Sequence, residues 1–167
     1  MRPWIHLLGV VGGAVAAVGI TFWSTSTTGP RGEIASALAT RQMMEPKAVV
    51  EAFEHMAFDE YRPADAVAEY FSPDIVDHSQ RIRGDYTSIT ELLQRLDWSN
   101  GNGPRRTISN IVAEGDIVMV HYHLVRETGT PGFSAVDIFR VENGMIVEHW
   151  EALQELPVES PNVHGAF

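Results

Sequence analysis

The 167-residue chain has no cysteine. That absence excludes disulfides, thiolate zinc sites and cysteine nucleophiles. It says little about compartment, because an exported protein need not use disulfides. Lysine is almost missing, with Lys47 the only one. Lys and Arg together number 12 against 22 Asp and Glu, a formal charge of -10. Arg105-Arg106 and the spaced Arg81/Arg83 are the close basic pairs, and no basic stripe with interleaved aromatics exists, which argues against a nucleic-acid surface. Spaced ligand motifs are also lacking: none of the 7 histidines falls in an HExxH-type pattern. A metal would need three or four inward ligands. Only His78, His121, His123 and Asp137 could supply them, and no metal or other cofactor is expected.

What is present divides unevenly. Residues 1–32 stand apart, as an amino-terminal segment with a polar tether. After Arg2, the run Ile5 to Trp23 carries no formal charge and is long enough to span a bilayer as a helix. Trp4 and Trp23 bracket it like interfacial anchors. A signal peptide would have a shorter apolar core and a small-x-small cleavage site beyond it; the following STSTTGP offers none. The sequence therefore predicts a membrane anchor through residues 5–23, with a cleaved signal peptide as the competing expectation. Either one places the folded domain outside the cytoplasm, membrane-anchored or exported. Gly9 and Gly13 have GxxxG spacing, weak evidence in a glycine-rich run.

Residues 33–157 are expected to form one domain, and 158–167 a flexible tail. Ile34, Ala35, Leu38 and Ala39 suggest a short helix over Glu33 to Met44. Val49, Ala52, Phe53, Met56 and Ala57 make a helical apolar stripe over Pro46 to Tyr61, opened by proline in the first turn. Pro63 opens a further helix that ends before Ser72-Pro73. Asp74 to Ser79 is extended and carries Asp77-His78. Ser88 or Thr87 caps a helix containing Ile89, Leu92, Leu93 and Leu96, with Glu91 placed for a capping box. After Pro104 the period becomes alternating: a strand over Arg105 to Ala113, a turn at Glu114-Gly115, and a strand over Asp116 to Arg126. Val118, Val120, Tyr122 and Leu124 occupy one face; His121 and His123, two apart, share the other.

The stretch from Thr130 to Leu153 organises the rest. Asn143-Gly144 suits the two positive-φ positions of a type I′ turn and predicts a hairpin. An uninterrupted ladder pairs Glu142 with Met145, Val141 with Ile146, Phe139 with Glu148 and Asp137 with Trp150. It puts Asp137, Phe139, Glu148 and Trp150 on one face and Arg140, His149 and Glu151 on the other. Asp137 is a mid-strand carboxylate with no solubility role to explain it, and is a candidate pocket acid. Helices first and an antiparallel meander last mark an α+β domain.

FSPDIVDHS, the HYH within Val120–Leu124 and AVDIFRVENGMIVEHWEALQELP together resemble the SnoaL-like polyketide cyclase group of the NTF2-like superfamily, over roughly Pro46 to Pro157. The resemblance implies a cone: helices packed on a strongly curved antiparallel sheet around an internal apolar cavity, often in a homodimer through the sheet. It also implies cofactor-independent acid/base chemistry on a small apolar carbonyl compound, of aldol-cyclase, isomerase or hydrolase type. By the same resemblance Asp137 is the acid/base group, helped by His123 and His78. His121, Trp150, Phe139, Tyr122, Glu148 and His149 are the expected substrate-binding residues. The alternative is a ligand-binding or oligomerising accessory module at the membrane.

Overall fold

The structure, a computed structural model, describes residues 29–96 and 103–167. Its helices are α1 (Pro30–Gln42), α2 (Pro46–Glu54), α3 (Pro63–Tyr70) and α4 (Tyr86–Gln94). Its strands are β1 (Phe71–Asp77), β2 (Arg105–Glu114), β3 (Ile117–Val125), β4 (Phe133–Glu142) and β5 (Met145–Glu155). The five-stranded sheet runs in the order β1-β5-β4-β3-β2. Helices α2, α3 and α4 cover one face, and Val49, Phe53, Val67, Val120, Phe139 and Ile146 lie in the core between the layers.

The expectation of a strongly curved antiparallel cone is corrected. β1 pairs β5 in parallel while every other ladder is antiparallel, so the sheet is mixed. β1 and β2 are its edges and do not pair with each other, so it stays open rather than closing into a cone. The physical reason lies in the connection through α4 between β1 and the meander. It carries the chain over the sheet, and β1 therefore meets the last strand in the same direction.

The anchor through residues 5–23 lies outside the described residues. Among those described, no helix is long and apolar enough to cross a membrane. The longest, α1, has 13 residues and a polar, exposed surface, about 20 Å against a hydrocarbon core of about 30 Å. The membrane partner, the transmembrane helix and the membrane-anchored location are corrected accordingly and go no further; the competing signal peptide lies outside the described residues.

Local chemistry explains the element ends. Asn143 and Gly144 have φ of 51° and 74°, as the I′ turn requires. Asp85, not Ser88 or Thr87, caps α4: its carboxylate accepts from the Ser88 amide at 2.7 Å, and the Ser88 hydroxyl oxygen accepts in turn from the Asp85 amide. Gly84 precedes it with φ +86°, and a Cβ there would lie 2.4 Å from the Asp77 carbonyl. Only glycine lets this loop close on β1. The α2 helix passes into a single π turn at His55–Asp59, where Ala57 is buried and Phe58 meets Phe53 edge-on at 6.4 Å.

Two strands each carry one extra residue. In β5, Val141 pairs with Ile146 but Arg140 pairs with Glu148, leaving Val147 unpaired. In β2, Asn110 pairs with His121 but Ile108 pairs with Tyr122, leaving Ser109 unpaired. Such bulges reverse which face the following residues occupy. The uninterrupted hairpin register is therefore wrong beyond Ile146: Phe139 stands opposite His149, and Asp137 opposite Glu151. The β2–β3 turn also falls one residue later than expected, with Glu114 opposite Ile117.

Candidate functional site

The bulges decide which side chains meet. Beyond Val147, His149 and Glu151 turn toward the helices, while Glu148 and Trp150 turn outward. Beyond Ser109, Arg106 turns inward beside Leu124 and Tyr122. All three inward groups converge on the buried Asp137, which alternation along β4 already points to the same side as Phe139.

A cavity of about 340 Å³ lies between the helices and this face of the sheet. Phe53, Phe71, Ile89, Leu93, Leu124 and Phe139 give it an apolar body, and its polar wall is one connected chain of charge. The Arg106 guanidinium donates to Asp137 Oδ2 at 2.6 Å and contacts Glu54 at 3.2 Å. It is clasped between the Phe58 and Tyr122 rings, 4.4 and 3.4 Å from their centroids. The Tyr122 hydroxyl donates to Asp137 Oδ1 at 3.0 Å. His149 donates from Nδ1 to Asp77 at 2.9 Å, and Asp77 also accepts from the Ser79 amide. His149 Nε2 lies 3.5 Å from Asp137 Oδ1, a charge contact with no well-formed hydrogen bond.

Burial alone would favour the neutral form of each group. It works to raise Asp137, but the Arg106 charge and the imidazole of His149 outweigh it and bring the carboxyl to about 2. Burial works to lower His149, yet Asp137 and Asp77 on either side lift it to about 10. Asp77 is also desolvated and is still held below the usual carboxylate range by His149. Tyr122 is pushed well above its ordinary value, first by burial and then by the Asp137 charge. Glu54 goes the other way: burial raises it to about 7 despite Arg106 beside it. At neutral pH the wall thus presents an imidazolium between two carboxylates, with its Nε2 free of a hydrogen bond.

Of the residues expected from sequence, Asp137, Tyr122, Phe139 and His149 line this cavity. The others sit on the opposite face of the sheet. His123 contacts the Pro131 carbonyl at 2.7 Å, and His121 contacts Ser134; Phe167 packs on both rings. His78 stacks on Trp150 at 4.9 Å and bonds Glu148 at 2.8 Å. None of these five touches the cavity. Among the described residues no group of three or more acids or histidines is placed to hold a metal ion. Sequence reading missed Arg106, Glu54, Asp77 and Arg81. Only Asp77 carried a signal, as the neighbour of His78 in an extended segment.

An open α+β sheet with an apolar cavity and a buried acid–base cluster defines a small-molecule pocket domain. Residues 49–149 match the SnoaL-like domain, and the chain belongs to that family. Its structure is similar to that of an NTF2-like protein of unknown function from Cytophaga hutchinsonii (13% identity, TM-score 0.54, 67% of this chain and 92% of that one). It is also similar to an NTF-2 like protein of unknown function from Burkholderia xenovorans (16%, 0.54, 74% and 91%). A third is AclR, a candidate hydroxylase from Streptomyces galilaeus (19%, 0.51, 65% and 88%). At these identities the likeness shows the fold alone. No curated protein matches the chain. The family is consistent with enzymatic chemistry on small molecules.

Proposed function

We propose that the protein is a cofactor-independent acid–base enzyme acting on a small, largely apolar carbonyl compound. One observation carries this: the buried His149 Nε2, on a cationic ring in the wall of an apolar cavity, makes no hydrogen bond and lies 3.5 Å from the Asp137 carboxylate. A carbonyl oxygen placed there accepts the Nε2–H, and the imidazolium stabilises the enolate that forms. Asp137 takes the proton from the adjacent carbon. The enolate then attacks a second carbonyl, as in an aldol closure, or is reprotonated, as in an isomerisation. An apolar ligand filling the cavity displaces water and raises the proton affinity of Asp137 from its low resting value. The helper role that the family resemblance gave to His123 and His78 falls to His149, because those two lie across the sheet.

A second reading, ligand binding without turnover, is favoured by the low proton affinity of Asp137, whose oxygens are occupied by Arg106 and Tyr122. Solvent isotope exchange separates the two. The full chain is incubated in deuterium oxide with a panel of cyclic and linear ketones and 1,3-dicarbonyls, and deuterium uptake at the α-carbon is followed by NMR. Enzyme-dependent exchange that falls by roughly 10²–10⁴ in His149→Asn is expected for a positioned acid–base pair. Binding of panel members with no exchange would replace the enzyme by the binding module.

A further inference from the structure

The charges lining the cavity do not cancel. Asp137 is held by Arg106, Asp77 by His149, and Glu151 by the Arg81 guanidinium and, at 3.5 Å, the Ser79 hydroxyl. Each carboxylate of the wall therefore already has its cation. Arg126 remains, immediately after β3 at the open end of the cavity. Among the described residues it has no ion pair of its own, and the Glu151 charge that reaches it is already held by Arg81. Its guanidinium rests on the Phe133 ring, 5.0 Å from the centroid, a contact that orients it without neutralising it. We propose that Arg126 is the recognition site for an anionic end on the ligand, so that the substrate class is a small apolar carboxylate, its chain in the cavity and its carboxylate at the mouth.

The physical case has three parts. A guanidinium offers a planar fork of donors that fits a carboxylate in two parallel hydrogen bonds. Burial and then the neighbouring Arg81 charge lower the pKa of Arg126 against the opposing charge of Glu151, so the partly desolvated cation gains from an incoming anion. The chain as a whole carries a charge of -10. Two guanidiniums, Arg81 and Arg126, around the one Glu151 carboxylate thus leave a local positive excess that steers anions toward this opening in particular. The proposal rests on the cavity being a ligand site, as above, but requires no turnover.

The test uses matched probes, octanoate and octanamide, titrated into the full chain by calorimetry at low ionic strength. Octanoate is expected to bind about tenfold more tightly, the worth of a charge-assisted hydrogen bond. In Arg126→Gln that preference should vanish while octanamide affinity is unchanged; Arg126→Lys should restore part of it. Arg126 is at the exposed end of a strand, so both variants are expected to fold, with the octanamide titration as the internal check. Equal binding of the two probes, or a preference that survives in Arg126→Gln, would overturn the assignment while leaving the cavity as a ligand site. If neither probe binds, the cavity itself is not a ligand site and the assignment falls with it. An octanoate preference without any isotope exchange would support the anion site while counting against the enzyme.

Discussion

Asp137 is the common anion of Arg106, His149 and Tyr122, and this fixes what its substitution does. Asp137→Asn leaves a buried guanidinium and an imidazolium without their shared counter-charge, so a loss of about 3–5 kcal/mol in stability is expected from chemical denaturation. Activity lost in that variant would not by itself identify a catalytic group. Glu54 behaves oppositely. Its pKa is raised from 4.5 to about 7, so the folded state holds a proton that the unfolded chain releases. Its contribution is complete below about pH 4.5 and is lost as pH rises to about 7. Glu54→Gln should flatten that part of the stability–pH curve, a change on the order of 3 kcal/mol; an unaltered curve would show that Glu54 titrates normally. Asp137 was legible in the sequence because a carboxylate in the middle of an apolar strand needs an explanation. Arg106 and Glu54 were not. One read as half of a basic pair and the other as the polar side of an amphipathic helix, and only the packing of β2 against α2 brings them together.

Among the elements, the hairpin turn was legible and the bulges were not. Asn-Gly announces its own geometry, whereas nothing in the types of Val147 or Ser109 marks an extra residue. That single feature moved His149 from the outer face to the cavity and Trp150 the other way. A deletion pair tests it. Removing Val147 leaves a regular ladder in which His149 still faces Asp137, so the protein should fold with its melting temperature little changed. Removing Trp150 throws Glu151 and Leu153 outward and should prevent folding; equal tolerance of both deletions would contradict the register. The α4 cap gives a milder test, since Asp85→Ala should cost about 1 kcal/mol by denaturant titration.

Taken as a whole molecule, the sheet separates two sets of histidines. His149 belongs to the inner, apolar side; His78, His121 and His123 belong to the outer side. Family resemblance was sound for the SnoaL-like family, but it could not supply the parallel β1–β5 pairing that keeps the sheet open. That pairing also sets Asp77 opposite His149, which completes the arrangement of carboxylate, imidazolium and carboxylate. The functional account depends on that imidazolium more than on any other group. Its raised pKa also stabilises the fold: the contribution is fully present below about pH 6.5 and is lost as pH rises through about 10. The most direct measurement is a pH titration of the imidazole nitrogens by NMR, with His149 assigned through His149→Asn. The account predicts that His149 stays doubly protonated through neutral pH and releases its proton only near 10. Titration near the ordinary histidine value would mean that no cation sits between Asp77 and Asp137, and would contradict the account.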